Sequence, residues 1–137
     1  EDMEFKIGKP YMVRDGCDVV VFAHGLMVAM ALKASEILEK EGISVRVVNV
    51  STLKPVDEKA IKEMCNGVKG IVTAEEHSVI GGLADVITYI MRGSGLPVEV
   101  IGIKDVFGQS AHSYQELLEY YGLTDKEIVA AVKKIIG

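Results

Sequence analysis

The chain has 137 residues, 49% of them apolar and 26% charged, with a formal net charge of −5. A length like this buries one core and not two, and the composition excludes a disordered or fibrous chain. The acidic balance argues against binding a nucleic-acid backbone. No apolar stretch approaches the roughly 20 residues that a membrane-spanning helix needs, so no membrane partner is expected. No basic segment followed by an apolar one opens the sequence as a secretion signal. The numbering starts at Glu1 rather than at Met, so residues 1–137 read as one domain excised from a longer subunit. Cys17 and Cys65 lie far apart in apolar surroundings, which predicts two reduced thiols in a cytoplasmic protein rather than a disulfide.

In chain order, Met12-Val13-Arg14, Asp15-Gly16 and the run from Cys17 to Ala23 read as a β-hairpin, because Asp-Gly suits a two-residue turn with positive φ. The second arm, Val19 to Ala23, is an unbroken apolar run of the kind a strand needs when both its faces are covered. The first arm is therefore expected as an antiparallel edge strand beside it. Gly25 opens a helix in which Leu26, Met27, Met30, Ala31, Ala34, Ile37 and Leu38 recur at helical spacing, and Gly42 supplies its left-handed stop. Ile43 to Val50 is the next strand. Asp57 can cap a helix with Ile61, Met64, Cys65 and Val68 on its apolar face.

Gly70 to Ala74 forms the following strand, and Leu83, Val86, Ile87, Ile90 and Met91 mark one face of the next helix. Gly93-Ser94-Gly95 ends that helix, and Pro97 leads a last strand through Ile103. Two capping boxes, Ser113 with Glu116 and Thr124 with Glu127, start a short helix and a final one that buries Ile128, Val132, Ile135 and Ile136. Strands alternating with helices of ten or so residues are the pattern of right-handed βαβ crossovers. The fold class is α/β: a three-layer α/β/α arrangement around an open, mostly parallel five-stranded sheet with one antiparallel edge strand.

In such sheets ligands gather beyond the carboxyl ends of the strands, where helix N-termini aim their N–H groups. Three loops are expected at that edge: His24-Gly25, then Glu75 through Gly82, then Lys104 through His112. All three histidines lie in them. His24 reads first as a packed or backbone-bonded residue and His112 as surface decoration. His77 stands beside Glu75 and Glu76, which would favour its protonated form if close, although Glu-Glu-His ahead of a glycine pair also reads as a solvated turn. Gly25, Glu75, Glu76, His77, Ser78, Gly81 and Gly82 form the candidate anion or regulatory site. No close ligand pair predicts a metal site. Gly93-x-Gly95 follows a helix and lacks a third glycine, so it is no dinucleotide fingerprint. Neither a Walker-type loop nor a G-x-S-x-G elbow occurs.

Several stretches together resemble the C-terminal domain of transketolase-type thiamine diphosphate enzymes, most closely the separately encoded C-terminal transketolase subunits of bacteria and archaea. They are Arg14-Asp15-Gly16-x-Asp18-Val19, Glu41-Gly42-Ile43, Lys54-Pro55-x-Asp57, Thr73-x-Glu75-Glu76-His77-Ser78 with Gly81-Gly82-Leu83, Gly102-Ile103-x-Asp105-x-Phe107-Gly108-x-Ser110, and Tyr121-Gly122-Leu123-Thr124. Two positions depart from the family's usual glycines, at Ala84 and Ala111.

The resemblance implies a non-catalytic domain of an enzyme that moves two-carbon ketol units between phosphosugars. Its expected work is dimer assembly and regulation. Thiamine diphosphate and Mg²⁺ would be held by other domains, through a Gly-Asp-Gly motif that this chain lacks, so no catalytic, cofactor or metal ligand is carried over. The implied partners are the pyrimidine-binding domain of the same subunit, the N-terminal transketolase subunit and a second copy in a homodimer. A small-anion or nucleotide-binding regulatory module is an alternative. So is the equivalent domain of a 2-oxoacid dehydrogenase β subunit, docking a lipoyl-carrying partner, or of a deoxyxylulose phosphate synthase.

Overall fold

Val19 to Ala23, the apolar run without alternation, is completely buried, because helices cover both of its faces. The structure, a computed structural model, describes residues 9–51, 57–75, 82–102 and 125–137. Within them the chain forms β1 (Tyr11–Arg14), β2 (Val19–Ala23), α1 (Leu26–Glu39), β3 (Val45–Asn49), α2 (Glu58–Met64), β4 (Gly70–Glu75), α3 (Leu83–Ile90), β5 (Val98–Gly102) and α4 (Asp125–Ile136). The strands make one sheet in the order β1-β3-β2-β4-β5. All neighbours are parallel except β1 and β3, so the α/β class and the antiparallel edge strand are as the sequence predicts.

Side-chain alternation along the strands sorts the core into two layers. Val19, Val21, Ala23, Val45, Val47, Val72 and Ala74 face α1 and α4, meeting Met27, Ala31, Ala34, Leu38, Ile128 and Val132. Val20, Phe22, Val48, Val50 and Ile71 face α2 and α3, meeting Ile61, Cys65, Leu83, Ile87 and Ile90. Of the residues expected to be buried on α1, Ile37 is instead exposed; Ser35 takes a buried place on that helix and donates to the Leu32 carbonyl. Gly42 has φ +81° after α1, the left-handed stop expected there. The Asp57 carboxylate accepts the Ala60 N–H at 3.0 Å, capping α2. The Lys54-Pro55 turn, the Ser113 box and Thr124 lie outside the described residues.

The expected hairpin does not form. β1 pairs with β3, Tyr11 opposite Asn49 and Met12 opposite Val48, with a register irregularity before Arg14. β2 lies on the far side of β3. Gly16 is not among the positive-φ glycines of the described residues, so Asp15-Gly16 does not make the turn that its dipeptide suggests. The glycine serves close approach instead. A Cβ there would fall on the Val45 carbonyl and within 2.6 Å of the Arg46 nitrogen. The connection is stitched to the start of β3: the Asp18 N–H donates to the Ser44 carbonyl at 2.8 Å, and the Asp18 carboxylate accepts the Ser44 N–H at 2.7 Å. The Cys17 N–H donates to Ser44 Oγ at 3.0 Å. Asp15 pairs with Arg46 at 3.2 Å. Together these bonds carry the chain across the foot of β3 rather than back along β2. Arg14 ties the displaced strand to α1 through Ser35 and Glu39.

Candidate functional site

The connections out of β2 and β4 place α1 on one face of the sheet and α3 on the other. The gap between the carboxyl ends of these two adjacent strands is therefore the topological switch point, where open α/β sheets hold ligands. His24 and Gly25 leave β2 there, and Glu75 ends β4 there.

Two local arrangements shape this edge. The His24 N–H donates to the Ala74 carbonyl at 3.3 Å, and its ring Nδ1 lies 2.9 Å from the Val50 carbonyl. The imidazole is thus bonded to backbone at the end of β3, the role its position predicts. Gly25 then turns the chain into α1 with φ 65° and ψ −137°, a conformation open to glycine and strained for other residues. Five residues of β2 and a glycine turn deliver the α1 N-terminus to the edge.

The second arrangement centres on Glu75, which is 4% exposed. Its carboxylate accepts the Leu83 N–H at 3.1 Å and the Ala84 N–H at 3.3 Å. These are first-turn donors of α3, which an α-helix cannot satisfy internally, and the positive end of the helix dipole favours the anion. Gly82 stands at the N-cap of α3 and makes the approach possible, since a Cβ there would meet Glu75 Oε1 at 2.6 Å. The place that an incoming phosphate would take at this helix is held by the chain's own carboxylate. Ala84 sits inside this arrangement with its N–H bonded and its side chain buried.

Of the candidate residues, the structure brings Glu75 and Gly82 together on α3 and puts Gly25 at the start of α1. Glu76, His77, Ser78 and Gly81 lie outside the described residues, as does the whole of Lys104 to His112. Sequence reasoning missed two features. The first is the capping role of Glu75, which reads in sequence as one more acid in a polar turn. Its signal was Gly82-Leu83: a helix beginning without Ser, Thr, Asp or Asn needs an acceptor from elsewhere. The second is Thr73, fully buried on the same face of β4 as Glu75, whose hydroxyl has no hydrogen-bond partner among the described residues. No pattern distinguishes it from any other β-branched strand residue.

Away from this edge the chemistry is structural. Cys65 is buried and Cys17 exposed, both as free thiols. Burial pushes the Cys65 thiol up to about 11, with the Arg46 charge acting in the opposite direction. A cleft of about 330 Å³ lined by Arg14, Asp15, Glu39 and Ser44 lies at the opposite, amino end of β2 and β3. Among the described residues no His, Cys, Asp or Glu cluster could hold a metal ion, and no helix is long and apolar enough to cross a membrane.

The sheet order and the paired helix N-termini at its switch point define a doubly wound α/β domain. A family model described as the transketolase C-terminal domain matches residues 8–128, and the chain belongs to that family. It is 42% identical over 134 residues to a transketolase C-terminal section from Methanocaldococcus jannaschii, a match covering 96% of this chain and 41% of that protein. It is also 42% identical to a 6-deoxy-6-sulfo-D-fructose transketolase subunit from a Clostridium species, covering 98% of this chain and 42% of the relative. Among solved structures, a split-gene transketolase described as an inactive β4 tetramer superposes with a TM-score of 0.89 at 44% identity, over 98% of this chain and 44% of that one. The chain spans about two fifths of the length of the curated relatives it matches.

Proposed function

We propose that this chain is the non-catalytic C-terminal domain of a split transketolase, an enzyme assembled from separately encoded subunits that transfers two-carbon ketol units between phosphosugars in cytoplasmic carbohydrate metabolism. One observation carries the reading: nearly the whole chain aligns with only two fifths of proteins that bear transketolase names. The remaining length of those relatives leaves room for the parts that bind cofactor and substrate.

The carboxyl edge supports the same division of labour. A diphosphate needs free N–H donors and positive charge, and at α3 those donors are taken by Glu75. That occupancy favours a helix start at α3 used for structure rather than for holding a diphosphate, and no step is assigned to it. The domain acts by association: it stands beside the pyrimidine-binding domain of its own subunit, faces the N-terminal subunit, and supports a homodimer.

Calorimetric titration of the 137-residue chain with thiamine diphosphate and Mg²⁺ tests the first half, with no binding expected; tight binding overturns the reading. Deleting residues 1–137 from the full subunit tests the second. The shortened subunit is expected to lose its dimer by light scattering, and retention of both dimer and activity would refute the assembly role.

A further inference from the structure

No further inference is drawn: the strongest candidate, the edge strand Tyr11–Arg14 with Tyr11, Met12 and Val13 exposed at the rim of the sheet, carries nothing because no feature of the structure shows what covers it.

Discussion

Removing the Glu75 carboxylate is the most informative perturbation of the carboxyl edge. In Glu75→Ala the Leu83 and Ala84 N–H groups lose their acceptor inside a buried site. Two orphaned donors at about 1–3 kcal/mol each give a gross loss of roughly 2–6 kcal/mol. Relief of the carboxylate's own desolvation and entry of water return part of it, so a net loss of about 3 kcal/mol is expected. At roughly 4 °C per kcal/mol for a domain of this size, the melting temperature falls by about 12 °C. Glu75→Gln keeps one acceptor oxygen and should lose about half as much.

Gly82→Ala supplies an internal control. Its backbone angles, φ −101° and ψ −151°, tolerate a side chain, but the new Cβ meets the carboxylate. It should therefore destabilise the wild type yet cost little in the Glu75→Ala background, a coupling on the order of 2 kcal/mol in a double-mutant cycle. Urea unfolding of the four proteins measures it. Emptying the cap should also let phosphate shift the Leu83 and Ala84 amide resonances in Glu75→Ala and not in wild type. A Glu75→Ala stability within about 0.5 kcal/mol of wild type, well below the cost of even one orphaned buried donor, would refute the account, as would strict additivity with Gly82→Ala.

Gly16→Ala should cost more than about 2 kcal/mol, since its Cβ meets β3 backbone that cannot swing aside; chemical denaturation reads this directly, and a neutral effect would mean the crossing is looser than described. Thr73→Val removes a buried hydroxyl that has no partner among the described residues and should leave stability unchanged or raise it by about 1 kcal/mol, whereas a clear loss would mean that the hydroxyl is bonded. At pH 8 iodoacetamide should label Cys17 and spare Cys65 in the folded chain, by mass spectrometry, because one thiol is exposed and the other buried; equal labelling would contradict the burial. Above pH 9 the unfolded chain releases a Cys65 proton that the folded state keeps until about 11. Stability should therefore decline as pH rises through that window, and the decline should shrink in Cys65→Ala.

The parts of the fold legible in sequence are those set by local chemistry. The buried β2 run, the Gly42 stop and the Asp57 cap each depend on residues within a few positions of one another, and each appears where its pattern places it. The position of β1 was not legible, because Asp15-Gly16 has two uses: a tight turn with positive φ, or a glycine that lets backbone pass against backbone. The choice lies with Ser44 and Val45, remote in sequence and close only after folding. The same reason hid the Glu75 cap. Charge and position marked the loop as polar, but which donors its first carboxylate satisfies depends on where α3 packs against β4.

The placement of β1 makes its pairing long-range. A hairpin strand can pair as soon as its neighbour is made, within microseconds. Here Tyr11 pairs with Asn49, 38 positions further on, so β1 joins the sheet only once that distant segment has come alongside it. Among the described residues it is held by one neighbouring strand, by the Arg14 tether and by little apolar burial. The amides of residues 11–14 are expected to exchange before those of the central strands, and the four parallel strands can stay paired while this rim opens to solvent.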